Sequence, residues 1–310
     1  MASRSAPLSC LFAGLLFLLP LFGVAGETTE VRYLLGQSLA DRRYEYYWGL
    51  LDAALKATSA EQGPYLMTPS GVSMSPARAA LEVESGGQIN IIVRTTSPAL
   101  EKQLRPVRIP LDKGLTGYRL FLVRSESQGA FDKVDKLSDL APFKIGQGKG
   151  WVDVQILRES GLQVVEGETY DGLFQMLRAG RFELFSRGVN EISGELASAR
   201  QQHQALAIER HLLLYYPLPR YFFVSRTPEG ERLAARLEAG LLRLMQSGEF
   251  DRRYMAYKQQ ALAGLSLAGR RVLRLPNPTL SPETPLGNTR WWDDLAEELK
   301  VRRPGSREQR

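Results

Sequence analysis

Strand-like and helix-like stretches alternate along this chain. VRYLLGQ (31–37) is a short apolar run and reads as a buried strand. In RRYEYYWGLLDAALKATSAEQG (42–63), Tyr47, Leu50, Leu51, Ala54 and Leu55 recur at helical spacing and Gly63 supplies an end. PYLMTPS (64–70) follows as a strand. Ser75-Pro76, a cap residue and a first-turn proline, opens a helix over 75–87. QINIIVRTT (88–96) is a strand, SPALEKQL (97–104) one or two helical turns, VRIPLDKG (107–114) an extended segment and GYRLFLVR (117–124) a strand.

After SESQGAFDKVDKLSDLA the alternation restarts. Strands are predicted over 143–150, 162–168 and 182–190, the first running into a Gly-rich turn. Helices are predicted over 151–161, 169–181 and 191–204. LAIERHLLLYYP (206–217) reads as extended, YFFVSR (221–226) as a strand and 229–262 as a helix nicked at Gly248. From Val272 onward the chain reads as Pro-rich coil with one last short helix. Strands alternating with helices predict an α/β fold of mostly parallel sheets flanked by helices. The alternation occurs twice, which predicts two lobes. Residues 27–116 and 220–300 form the first, 117–219 the second, and 301–310 a flexible tail. A ligand cleft is expected between them, beyond the carboxyl ends of the strands.

The first residues change the setting. MASRSAPLSCLFAGLLFLLPLFGVAGE has Arg4, an apolar run from Leu11 to Val24 and small residues at 23–26. That is the pattern of a cleavable secretory signal over 1–26, too short for a bilayer-spanning helix, with an uncleaved anchor as the alternative. No later run reaches transmembrane length, so an exported, periplasmic, monomeric protein is expected. Cys10 is the only cysteine and leaves with the signal, so stability rests on a core rather than on disulfides.

Charge excludes more than it suggests. Lys and Arg number 40 against 34 Asp and Glu, without like-charge blocks or a basic-aromatic repeat, so no nucleic-acid partner is expected. The two histidines, His203 and His211, do not form a metal spacing. GxSxG, GxxxxGK[ST] and HExxH are absent from the sequence. No catalytic residue, metal or cofactor is therefore assigned, and the chain reads as a non-enzyme.

Three stretches carry a resemblance. Gly87 to Arg124 holds a strand, TTSPALEKQL and a strand into the second lobe. LQVVEGETYDGLFQMLRAGRFELFSRGV pairs strand, helix and strand, and YFFVSRTPEGERLAARLEAGLLRLMQSGEFDRRY places a strand before two helices split by a Gly turn. In this order, across nearly all of 27–265, they resemble the family-3, type 2 periplasmic solute-binding proteins of amino-acid ABC importers. The resemblance implies a non-catalytic protein that captures a small polar or anionic ligand, amino-acid-like or related, and presents it to an ABC permease. A sensing partner of a membrane receptor is the alternative. A hydro-lyase or dehydratase on the same fold is a third reading, for which Glu191 and Glu168 are the carboxylates near strand ends.

Residue by residue the pattern departs from the family. Aligned on Pro98, the arginine that forks onto the ligand carboxylate in the family falls at Leu100, leaving Arg94 or Lys102 as substitutes. Thr96 and Ser97 belong to the same turn. In the second lobe, Arg187, Asn190 and Glu191 stand at a strand end, where they either meet a ligand or pair with one another and cap the next helix. Trp151 follows the glycines of GQGKG and either stacks on the ligand or plugs the lobe. Gln37, Ser38 and Tyr47 are the candidates at the end of the first strand and the start of the first helix.

Overall fold

The computed structural model describes residues 27–34, 44–72, 74–201 and 205–300. Gln37, Ser38, His203, the signal segment and the 301–310 tail lie outside the described residues. The chain opens with β1 (Thr29–Leu34), α1 (Glu45–Ala57), α2 (Ser59–Gln62), β2 (Tyr65–Ser70) and α3 (Pro76–Glu84). It continues through β3 (Ile91–Thr95), α4 (Pro98–Gln103), β4 (Arg105–Val107), β5 (Tyr118–Arg124), β6 (Lys144–Gly148) and α5 (Val152–Glu159). Next come β7 (Gln163–Gly167), α6 (Tyr170–Arg178), β8 (Leu184–Gly188), α7 (Ile192–Gln201), β9 (Leu206–Ile208) and β10 (Leu212–Tyr215). The last are β11 (Arg220–Val224), α8 (Pro228–Gln246), α9 (Glu249–Ala261), β12 (Arg271–Arg274) and α10 (Ala296–Leu299).

Local chemistry sets the boundaries. Ser75, Ser97 and Thr227 each accept a backbone N–H from three residues on, with proline in the first helical turn that follows. Gly248, at φ 74°, separates α8 from α9 where the sequence expected the nick. Tyr47, Leu50, Leu51, Ala54 and Leu55 are all buried along α1, which packs on α8.

The strands assemble into three sheets: β1-β2, β3-β11-β4, and β12-β10-β5-β8-β6-β7 with β9 added beside β5. Period-two alternation gives the two larger sheets an apolar surface on each face. In β11, Phe222 and Val224 face α1 and α8, while Tyr221 and Phe223 face α3 and α4. In β5, Tyr118, Leu120 and Leu122 join the same central core, and Phe121 and Val123 pack on the far side with Ile156 and Leu157 of α5.

The seven-stranded sheet is mixed, the three-stranded one antiparallel and β1-β2 parallel, which corrects the expectation of mostly parallel pairing. β1–β2, β6–β7, β6–β8 and β10–β12 are parallel; β3–β11, β4–β11, β5–β8, β5–β9 and β5–β10 are antiparallel. The parallel pairs are joined through helical crossovers, which bring the chain back to the same end. β5 and β11 instead enter directly from two connections between sheets, β4 to β5 and β10 to β11, without a crossover helix, and run against their neighbours.

The chain beyond α9 also departs from a plain coil. β12 pairs with β10, so part of the stretch expected in the first lobe joins the other sheet. Residues 275–299 then form a strap over both connections. Leu275 N donates to Tyr215 O and Asn277 Nδ2 to Pro217 O, while Glu283 meets Arg108 at 2.7 Å. Trp292 lies on Gly114, where a Cβ would stand 2.5 Å from its ring, and Gly114 itself has φ 74°. Asp293 N donates to Lys113 O, and the Asp293 carboxylate holds Lys258 at 2.8 Å and accepts from Tyr254 Oη at 2.7 Å.

That anchor is sensitive to acid. Burial pushes the Asp293 carboxyl up, but hydrogen bonds from Lys258, the Leu295 N–H and Tyr254 outweigh it and hold the group below its usual value. A carboxyl more acidic folded than unfolded contributes fully above about pH 4 and loses that contribution as pH falls through its depressed folded value. Hydrogen exchange corrected for intrinsic rates is expected to rise across 288–299 between about pH 4 and pH 2, ahead of β5 and β8. Equal loosening of strap and sheet would show that Asp293 is not the anchor.

Candidate functional site

A cleft of about 850 Å³ opens between the three-stranded and seven-stranded sheets. One wall is the end of β3 and the turn into α4, Arg94 to Ala99, with Arg220 at the start of β11. The other is Thr116 just before β5 and Arg119 at its start, Gly150 to Gln155 with Arg158 and Glu159 on and before α5, Glu166, Arg187 at the end of β8, and Glu191. The site therefore sits at strand ends and at two of the points where the chain passes between sheets, β4 to β5 and β10 to β11.

Six of the sequence candidates line this cleft: Arg94, Thr96, Ser97, Trp151, Arg187 and Glu191. Their side chains do different things. Thr96 donates its hydroxyl to buried Glu101, which also holds Arg108 at 2.6 Å. Ser97 Oγ caps α4 by accepting Leu100 N–H at 3.2 Å. Leu100, at the family's arginine position, is turned away into the apolar cluster with Ile92, Tyr221 and Phe223. Lys102 is exposed on α4 and is not among the lining residues.

Arg187 is 6% exposed and gives three hydrogen bonds to Glu195, of 2.5 to 3.0 Å, with Glu191 at 3.1 Å. Burial acts to lower its pKa, and the two glutamates reverse that and raise it. Its guanidinium lies 4.8 Å from the Trp151 ring centre, so Trp151 packs on Arg187 and also lines the cleft. Of the two fates open to Arg187, pairing with its neighbours is the one its geometry shows.

Tyr47 and Asn190 are set back from the cleft. Tyr47 is fully buried beneath Arg220, whose guanidinium stands 5.3 Å above its ring, and hydrogen-bonds Asp112. Burial raises the Tyr47 phenol well above its ordinary value, and Arg220 opposes this. Asn190 Nδ2 donates to Tyr257 Oη at 3.0 Å. Asp112, against the same cluster, has its carboxyl raised by burial in spite of Arg220 and the donors from Thr116 and Gly114.

The sequence did not single out Arg119 and Arg220. Arg119 pairs with Asp153 at 2.6 Å and donates to Tyr216 Oη at 3.1 Å. Arg220 reaches Glu191 only at 3.9 Å, and its buried Nε has no acceptor among the described residues. Arg94, one residue off in register across β3–β11, gives Nη1 to Pro76 O at 3.1 Å and has no carboxylate within ion-pair distance among the described residues. Burial lowers the Arg94 pKa, with Tyr44 opposing and Arg220 adding to it, and the guanidinium stays charged at neutral pH. The available signal was a cation at the end of an otherwise apolar strand, in GYRLFLVR and in RYFFV.

Among the described residues no group of three or more His, Cys, Asp or Glu side chains is placed to hold a metal, and no helix is long and apolar enough to cross a membrane. No family model and no curated protein matches the sequence. Solved structures do show likenesses. One is a Salmonella typhimurium periplasmic binding protein with high arginine specificity, at 16% identity over 74% of this chain and 98% of that one, TM-score 0.49. Another is a histidine kinase sensor domain with similarity to periplasmic binding proteins, at 15% over 75% and 96%, TM-score 0.48. A third is an ancestral amino-acid-binding protein described as a precursor of cyclohexadienyl dehydratase, at 14% over 74% and 94%, TM-score 0.47. At these identities the likeness concerns the α/β architecture and transfers neither ligand nor residue roles to this chain.

Proposed function

We propose that this chain is an exported, non-catalytic solute-binding protein that captures a small anionic molecule in the cleft and presents it to an ABC permease. In this reading the two sheets belong to lobes that close about 114–117 and 217–219. The observation that carries it is the pair Arg94 and Arg220. Both stand at the three-stranded wall; among the described residues Arg94 has no carboxylate within ion-pair distance, and Arg220, which interacts with buried Asp112 and reaches Glu191 only at 3.9 Å, keeps a buried Nε donor without an acceptor. A buried cation with an open donor gains from a charge-assisted hydrogen bond. In this reading the carboxylate clamp lies at the end of β3 and the start of β11 in place of the first turn of α4.

A thermal-shift and calorimetric screen of residues 27–310 against organic acids, amino acids, amines and sugars tests this. A ligand at ~1,000 times its Kd contributes about 4 kcal/mol, which raises Tm by roughly 8 °C or more. Organic anions are expected to give the hits, and Arg220→Met to weaken them by about 30-fold, or ~2 kcal/mol. Hits confined to neutral or cationic compounds, or affinities indifferent to Arg220→Met, would overturn the proposal.

A further inference from the structure

The charges of the inner cleft bear on what else the ligand carries. Among the described residues, the guanidiniums of Arg94, Arg119, Arg187 and Arg220 meet the carboxylates of Asp153 and Glu191 in the cleft and of Glu195 behind it, Asp112 interacts with Arg220 from the interior, and Arg158, Glu159 and Glu166 also line the cleft. Asp153 is held by Arg119 at 2.6 Å and Glu195 by Arg187 at 2.5 Å. Glu191 lies 3.1 Å from Arg187, 4.0 Å from Arg119 and 3.9 Å from Arg220. The first two of these arginines stand on the seven-stranded sheet and the third begins the centre strand of the other. Glu191 thus reaches across the cleft, and its hold on Arg220 is far looser than its hold on Arg187.

We infer that the ligand is an organic acid without an ammonium group, and that its carboxylate takes Glu191's place at Arg220 as it seats between Arg94 and Arg220. The inference rests on the anion reading above. An amino acid brings an ammonium as well, and beside Arg94 and Arg220 this would stand among four guanidiniums, while Asp153, Glu191 and Glu195 are each already within ion-pair distance of at least one of them. Unlike charges in a poorly hydrated site attract strongly and like charges repel as strongly. Trp151, Val152 and Val154 on one wall and Pro98 and Ala99 on the other offer apolar surface to the body of the acid.

Calorimetry on matched pairs that differ at the ammonium group tests the inference: 3-phenyllactate against L-phenylalanine, 2-hydroxyisocaproate against L-leucine, glutarate against L-glutamate. In at least one pair the acid is expected to bind about 30-fold tighter or more, ~2 kcal/mol at 1.4 kcal/mol per tenfold. Glu191→Gln is expected to tighten that acid about tenfold by removing its competitor for Arg220. An amino acid binding as tightly as its partner, and weakened by Glu191→Gln, overturns the inference and makes Glu191 an ammonium holder, while the anion reading survives through its loss in Arg220→Met. No binding by either member of any pair overturns both. Should Glu191→Gln fail to fold, the matched pairs on the unaltered protein still separate acid from amino acid.

Discussion

Replacing Arg236 with methionine is expected to lower the stability of this protein by about 4 kcal/mol and its Tm by roughly 10 °C. Arg236 is 2% exposed in the middle of α8. Its Nε donates to Thr58 Oγ1 at 3.1 Å. Its Nη atoms donate to Thr29 Oγ1 at 2.6 Å, Gly63 O at 2.7 Å, Leu55 O at 3.3 Å and Gln62 O at 3.3 Å. These acceptors are the C-terminal carbonyls of α1 and α2 and the start of β1. One guanidinium therefore closes two helix ends, where a cation also meets the negative end of the helix dipole. Methionine fills the volume but removes all of these donors at once, from Thr58 Oγ1 in the interior and from the part-buried bonds to Thr29 Oγ1, Gln62 O and Gly63 O, which is where the loss arises. Arg236→Lys is expected to recover little of it, because a point charge with three donors cannot span the same fork. Urea unfolding of the three proteins measures this. A loss under about 1 kcal/mol for Arg236→Met would mean that water satisfies those carbonyls.

The second large effect is at Arg187. Arg187→Ala is expected to cost about 3–5 kcal/mol, because it leaves the carboxylate of Glu195, itself 9% exposed, without its main partner. Glu191 retains Arg119 and Arg220, so the damage concentrates on Glu195. The double variant Arg187→Met/Glu195→Leu removes both charges and is expected to regain most of the stability, within about 1–2 kcal/mol of the unaltered protein. If single and double variants melt together, the buried pair is not what holds this strand end. From the sequence alone, Arg187→Ala is a change expected to weaken ligand binding with the fold intact. The ion pair makes it a stability variant first, so binding is better tested at Arg220.

The order of elements was legible because it rests on local signals. Helical spacing in α1, Ser-Pro and Thr-Pro starts at α3, α4 and α8, and Gly248 between α8 and α9 all act within a few residues. What escaped depends on partners distant in the chain. The four residues of β12 carry little pattern of their own and become a strand through pairing with β10. The expected extended run over 206–217 breaks into β9 and β10 because the carboxylate of buried Glu209 accepts the His211 and Leu212 N–H groups. Arg236 looks like one more charge in EGERLAARLEAG, yet its spacing from Leu233 and Gly240 places it on the buried face. For the site, the turn at 94–97 and the strand end at 187–191 were found because strand ends are local features. Arg119 and Arg220 were missed because the cleft that unites them joins residues far apart in the sequence.

The division of the three-stranded sheet has a consequence for the order in which the chain can fold. β3 and β4 come from residues 91–107, but the strand that lies between them comes from 220–224. α1 packs against α8, which begins at Pro228. The strands β5 to β10 of the seven-stranded sheet, by contrast, follow one another without interruption from 118 to 215. As the chain lengthens from its N-terminus, those inner strands have their neighbours at hand while the apolar stripe of α1 still waits, since distant pairings close later than local ones. The first helix to be made is among the last to be covered.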